Sequence, residues 1–180
     1  MSQETSHNLP PKRMRESRAI KASIVLPPDT NNHNTMFGGK VMSYIDDIAA
    51  ISAMRHCRQR VVTASTDSVD FMHPIRLGDS ICLESFVTWT HKTSMEVFVK
   101  VTAEDLMTGN RAICATSFLT FVALDPDNRP ILVPPVYPES EEEKFLHETA
   151  SERAKVRHDR RSQSRELAEK FVLKRSWEAL

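Results

Sequence analysis

Between positions 95 and 103 the residues Met95, Val97, Val99, Val101 and Ala103 alternate with Glu96, Phe98, Lys100 and Thr102. That is the period-two pattern of a strand with one face more buried than the other. Similar runs lie at about 18–26, 61–71, 80–90 and 111–124, separated by His73-Pro74, Leu77-Gly78-Asp79, His91-Lys92 and Thr108-Gly109-Asn110. Five strands are predicted. The run 111–124 carries Ile113, Leu119 and Phe121 on one parity and Phe118, Val122 and Leu124 on the other, so both faces need cover, from the C-terminal helices or from another copy of the chain. A different period governs 39–57, GKVMSYIDDIAAISAMRHC, where Val41, Met42, Ile45, Ile48, Ala49 and Ser52 recur at helical spacing among small residues that allow close approach to a sheet. Strand, helix and four further strands predict an α+β plan, an antiparallel five-stranded sheet wrapped around a central helix.

The two ends read differently. Residues 1–17 are polar and basic around Pro10-Pro11 and are expected to form a flexible basic arm ahead of a domain spanning 18–135. Residues 136–180 read as a charged helical C-terminal extension: acid (Glu139, Glu141, Glu142, Glu143) precedes base (Arg153, Lys155, Arg157, Arg160, Arg161), matching the helix dipole, and Ser140 with Glu143 makes a capping box. Helices are predicted at about 140–158 and 164–177, the second with Leu167, Ala168, Phe171 and Arg175 on one stripe.

Composition narrows the function classes. The chain has 180 residues, 40% hydrophobic, with 24 basic and 24 acidic side chains, so no global field draws it to nucleic acid or an anionic membrane. The stretch 151–175 holds nine basic and four acidic residues and is read as a solvated face or an oligomer strap rather than a nucleic-acid contact. Cys57, Cys82 and Cys114 lack CxxC spacing and are read as buried free thiols in a reducing cytoplasm. There is no apolar leader and no run of about 18 apolar residues, so no membrane association is expected. Without HxxxH, HExxH or a Gly-rich phosphate loop, no metal site is expected either. Arg55, His56, Arg58 and Arg60 suit a helix C-terminus, and His33 and His73 have no carboxylate at an obvious spacing.

Candidate chemistry gathers around the central helix. Asp46 follows Ile45 on the flank of the apolar stripe, where burial is costly unless the carboxylate is hydrogen-bonded or used, and where a raised pKa would suit a general base. The competing reading is a hydrogen-bond acceptor in an oligomer interface. Ahead of the helix, Asn31 lies in an Asn-rich loop and Gly38-Gly39 at the helix entry, where free backbone N–H groups form a site for a negatively charged oxygen. The competing reading there is ordinary helix capping.

In order along the chain, Thr30-Asn31, Phe37-Gly38-Gly39, Met42 through Ile45-Asp46, Val61-Val62-Thr63-Ala64-Ser65, Asp70-Phe71, Pro74-Ile75 and Lys92-Thr93-Ser94-Met95-Glu96-Val97 resemble the hotdog-fold acyl-CoA thioesterases of the cytosolic acyl-CoA hydrolase group. The resemblance covers about 18–135. It implies that Asp46 activates water or attacks the thioester carbonyl, with Asn31 orienting the reacting groups from the facing protomer and the Gly38 and Gly39 amides holding the oxyanion. It also implies that Thr63 assists from a strand near the helix, and that Lys92, Thr93 and Ser94 lie along the coenzyme A arm. His91-Lys92 stands where Gly-Arg is frequent in the family. No cofactor is implied, coenzyme A entering only as part of substrate or product. The implied assembly is a homo-oligomer, a dimer at minimum and a trimer of dimers, hence a homohexamer, by analogy. The alternative is a non-catalytic acyl-CoA or nucleotide-binding regulator on the same fold.

Overall fold

The computed structural model describes residues 9–171. Along the chain come β1 (Lys12–Arg13), a 3-10 turn (Met14–Ser17), β2 (Ala19–Ile24), α1 (Gly38–Cys57), β3 (Arg60–Phe71), β4 (Ser80–Thr90), β5 (Ser94–Glu104), β6 (Arg111–Leu124), β7 (Val136–Tyr137), α2 (Glu141–Glu148) and α3 (Ala150–Lys170). The five predicted strands and the central helix are all present. The sheet is antiparallel with order β2-β4-β5-β6-β3, so β3 is an edge strand.

Helix α1 lies on the concave face. Val41, Ile45, Ile48, Ala49 and Ala53 are buried in one core with Leu83, Val97, Val99, Leu119 and Phe121, and Ser52 is buried beside them. Burying a branched aliphatic side chain of this size contributes about 1.5–3 kcal/mol. Small residues bring the helix close to β4: Ser52 Oγ lies 2.7 Å from Ser85 Oγ, which itself donates to the Ile48 carbonyl at 3.0 Å. The helix stops at Arg58, in the left-handed region at φ 57°, whose N–H donates to the Met54 carbonyl.

The expected mobile arm is docked over its described part. Lys12 and Arg13 pair in parallel with Val136 and Tyr137, Met14 and Ser17 are buried, and the Val87 N–H donates to Ser17 Oγ at 2.9 Å. One apolar residue and a serine in a 3-10 turn leave no periodicity to read, which is why the sequence pattern missed this anchor. Residues 1–8 lie outside the described residues.

The C-terminal helices also differ from expectation. The capping box forms, with Ser140 Oγ accepting from the Glu143 N–H and Glu143 Oε2 from the Ser140 N–H. The first helix ends at Glu148 and α3 then runs unbroken to Lys170, whereas one break was expected near 159–163 and none at 149. The break is held by a side chain from the following turn: Arg153 donates to Thr149 Oγ1 and to the Leu146 carbonyl. Phe118 on the outer face of β6 lies 4.1 Å below the Arg153 guanidinium, so the extension supplies the second cover that β6 requires. Leu167 and Phe171 remain exposed, and Arg175 lies outside the described residues. Cys57 and Cys114 are buried free thiols, pushed up in pKa by burial, while Cys82 is half-buried.

His56 near the end of α1 is fully buried, with Nε2 placed 2.8 Å from the Pro134 carbonyl to donate to it and Nδ1 without a partner. Burial holds its pKa below the usual histidine range. Above about pH 6.5 neither folded nor unfolded imidazole is charged; as pH falls below that, the unfolded chain takes up the proton first and stability is lost. The thermal midpoint should therefore drop between pH 7 and pH 5.5 more steeply in the wild type than in His56→Gln. Equal slopes would contradict this account of His56.

Candidate active site

Two adjacent carboxylates on α1 have different partners. Asp47 Oδ2 lies 3.6 Å from Lys21 Nζ, and Lys21 also stands 3.8 Å over the Tyr44 ring. Asp46 Oδ1 accepts from Thr63 Oγ1 at 2.9 Å, and Oδ2 has no partner among the described residues. The structure thus joins Asp46 and Thr63, which the sequence places 17 positions apart.

The expected burial of Asp46 is not seen in the single chain, where both Asp46 and Thr63 are exposed. The face of α1 turned to the sheet is filled by Ile45, Ile48, Ala49 and Ser52, so position 46 points away from it. On the same helix Met42, one turn before it, and Ile51 and Met54 farther along are each 46% to 49% exposed, while Val62, next to Thr63 in β3, pairs with Val122 and faces the other side of the sheet. A ribbon of half-exposed apolar side chains of this kind marks an association surface.

At the start of α1 the N-cap is Phe37, which offers no side-chain acceptor. Lys40 and Val41 N–H groups bond the Phe37 carbonyl, whereas those of Gly38 and Gly39 have no acceptor among the described residues. Two free amides at a helix N-terminus form a site for a negatively charged oxygen. An added Cβ at Gly38 would meet only Phe71 Cζ at 3.6 Å, an ordinary contact, so packing within the chain does not demand glycine there. Beside these amides opens a cleft of about 310 Å³ lined by Met36, Gly38, Val41, Phe71, His73 and Ile75, among others. Phe71 and Ile75, which stand in two of the motifs that carry the resemblance, form the apolar wall of this cleft, a role that their spacing does not reveal.

Asn31 sits in a stapled turn. Its Oδ1 accepts from the His33 N–H at 2.9 Å and the Thr35 N–H at 3.3 Å, and its Nδ2 donates to Thr35 Oγ1 at 3.0 Å. The turn is tied to the following strand connection by Met36 N–H to the Ile75 carbonyl and Leu77 N–H to the Asn34 carbonyl. The carboxamide therefore shapes its own loop rather than capping α1, whose N-cap is Phe37, and keeps one amide proton of Nδ2 uncommitted. His33 is exposed.

The Lys92-Thr93-Ser94 turn joins β4 to β5. Val122 on β6 pairs with Ser94 on one side and Val62 on the other, so this turn is two strands from Thr63, about 10 Å away. Lys92 is exposed, and its carbonyl accepts from the Val133 N–H; the Thr93 carbonyl accepts from the Ala123 N–H. Ser94 borders a recess shared with Trp89, His91 and α3. Among the described residues, no cluster of three or more His, Cys, Asp or Glu side chains suits a metal, and no helix is long and apolar enough to cross a membrane.

Gly38 and Asp46 lie eight residues apart on one helix, which at 1.5 Å per residue separates them by about 12 Å. One carbonyl group cannot touch both in the same chain. Within the chain the candidate residues therefore fall into two groups: Asp46 with Thr63, and the Asn31 loop with the Gly38 and Gly39 amides.

Comparison with known proteins bears on this arrangement. The thioesterase superfamily pattern matches residues 33–110. An uncharacterized acyl-CoA thioester hydrolase of Bacillus subtilis strain 168 is 60% identical over 163 residues, 91% of this chain and 95% of that protein. The acyl-CoA hydrolase of Staphylococcus aureus, solved with butyryl coenzyme A, coenzyme A and coenzyme A disulfide, is 47% identical with a TM-score of 0.86, covering 89% of this chain and 98% of that one. A hexameric acyl-CoA thioesterase in its apo form is 51% identical with a TM-score of 0.83, covering 84% of this chain and 97% of that one. The staphylococcal enzyme has also been solved with alanine in place of an Asn, an Asp 15 positions later and a Thr 17 positions beyond that, the spacing of Asn31, Asp46 and Thr63. The chain belongs to the thioesterase superfamily and, within it, to the hotdog-fold acyl-CoA thioesterases.

Proposed function

We propose that the protein hydrolyses an acyl-CoA to the free acid and coenzyme A at sites shared between two copies of the chain. The observation that carries this reading is the Asp46–Thr63 pair, a carboxylate with one oxygen held and the other free, about 12 Å from the free amides of its own helix.

The chemistry follows from the two half-sites. Thr63 fixes the Asp46 carboxylate through Oδ1 and leaves Oδ2 to act on water as a base, or on the thioester carbonyl as a nucleophile. In the base route Asp46 takes a proton from water as the oxygen adds to the carbonyl. The Gly38 and Gly39 amides of the facing protomer hold the oxyanion, and collapse expels the coenzyme A thiolate, which takes the proton back from Asp46. Asn31, kept rigid by its turn, orients the thioester from the same side as the amides. Water and protein groups balance this reaction, so the proposal includes no metal or organic cofactor.

A two-fold contact supplies the required geometry. Two α1 helices packed antiparallel place the N-terminus of one beside the middle of the other, and the free edge of β3 lies on the same side as the apolar ribbon. The hexameric relative supports assembly beyond the dimer, as a trimer of dimers. Packing another copy against Met42 and the exposed side of α1 would also bring Asp46 out of water, restoring the environment a general base requires. Lys92 and Ser94, in a turn about 10 Å from Thr63, are placed along the coenzyme A arm. A cytoplasmic location and the absence of nucleic-acid partners belong to the same proposal.

Thiol release from acyl-CoA substrates tests it. Asp46→Ala and Asn31→Ala should each lower kcat by about 10²-fold or more, and Thr63→Ala by about tenfold, with thermal midpoints close to the wild type. Wild-type turnover by a folded Asp46→Ala protein would remove the mechanism. Stoichiometric acyl-CoA binding by the wild type with no thiol released would favour the regulator reading instead.

A further inference from the structure

Strand β3 is irregular in two places. Its ladder with β6 skips between Thr63 and Ser65 and again between Thr66 and Ser68, leaving Ala64 and Asp67 as extra residues without partners of their own. The consequence is one of parity. From Thr63 to Phe71, β3 advances eight residues while its partners on β6, Phe121 to Ala115, advance six. Both counts are even, so Thr63 and Phe71 face the same side of the sheet, where Thr63 meets Asp46 and Phe71 walls the cleft beside Gly38. Closing one bulge alone makes the second count seven and turns one of these side chains to the opposite face.

Only the second bulge is gripped by α3. Asp67 Oδ2 accepts from Arg157 Nη1 at 2.7 Å, and Oδ1 accepts from Arg160 Nη2 at 2.6 Å and from Ser65 Oγ at 2.9 Å. The Asp67 main-chain carbonyl accepts from Arg160 Nη1. Arg157 is fixed in turn by Glu96 on β5, a fully buried carboxylate whose Oε2 lies 3.2 Å from Arg157 Nη1 and whose Oε1 lies 2.7 Å from Arg153 Nη2. Arg153, Arg157 and Arg160 fall on one face of α3, at i, i+4 and i+7. Among the described residues no strand flanks the other edge of β3, so nothing described locks the bulge from that side.

Adhesion alone does not explain this arrangement. Buried ion pairs add little net stability compared with apolar contacts of the same volume, whereas directional hydrogen bonds to both the carboxylate and the carbonyl of a bulged residue fix a backbone register. We propose that Asp67 is a positioning residue for thioester hydrolysis: Arg157 and Arg160 of α3 lock the second bulge of β3, and with it the common facing of Thr63 and the Phe71 wall. The proposal rests on the reading of Asp46 and Thr63 given above. It assigns the charged C-terminal extension a role at the Asp46–Thr63 pair, with which it makes no hydrogen bond or ion pair among the described residues.

The test is a double-mutant cycle on the full-length protein, with kcat and KM measured by thiol release from one acyl-CoA. Asp67→Asn should lower kcat by about tenfold with Thr63 present and by less than about twofold in the Thr63→Ala background, because the contribution of Thr63 can be lost only once. Arg160→Leu, which leaves Arg157 on Asp67, should show the same dependence on Thr63 at smaller size and carries the test if Asp67→Asn does not fold. Hydrogen exchange of the amides of 60–71 should be faster in both variants. Equal fold losses in the two backgrounds, unchanged kinetics, or unchanged exchange would each overturn the proposal while leaving the hydrolase reading intact. A wild type that releases no thiol would overturn the hydrolase reading and the positioning role with it.

Discussion

The rise of an α-helix is the constraint on which the rest depends. Eight residues separate the uncapped amides at Gly38 from the carboxylate of Asp46, about 12 Å along one rigid rod, and no side-chain rotation closes that distance. A single chain thus holds free amides at one end of the helix and a carboxylate in its middle that cannot both reach one carbonyl. The features that look like defects in the isolated chain agree with this: a helix without a side-chain N-cap, half-exposed apolar side chains along α1 and an edge on β3 that no described residue pairs with. The proposed second copy, related by a two-fold axis, would resolve each of them.

The remainder of the fold holds that rod and its neighbours at fixed positions. Close contact through Ser52 and Ser85 sets the height of α1 above the sheet, and the Arg58 cap sends the chain directly into β3 so that Thr63 returns alongside Asp46. The docked N-terminus and α3 each hold one end of this arrangement by side-chain contacts. Lys12 donates to the His56 carbonyl at the end of α1, while Arg157 and Arg160 hold the bulged edge strand. Stability and site geometry are in this way served by the same contacts.

The sequence revealed what periodicity can carry. All five strands and α1 were legible because each runs long enough for its alternation or helical spacing to repeat, and Asn31, Asp46 and Thr63 were legible as residue types in order within a known pattern. Three features were not. The anchor at Met14 is too short to show a period. The break at Thr149 depends on Arg153 reaching back to the Leu146 carbonyl, and the pairing of Asp67 with α3 spans about 90 positions, neither of which leaves a local signature. The burial expected for Asp46 failed for a different reason: the spacing shows that position 46 flanks an apolar face, but not whether the apolar neighbour is the chain's own sheet or another copy.

Complementation between inactive variants tests the two-half-site account most directly. Asp46→Ala and Asn31→Ala destroy different halves, so a hybrid dimer of the two contains one site with both defects and one intact site. Unfolding and reassembling the two inactive proteins in equal amounts should restore about a quarter of wild-type thiol release, the share of intact sites expected from random two-fold pairing. If the mixture stays as inactive as its parents while hybrid oligomers are demonstrably present, both halves act within one chain and the shared-site account is wrong.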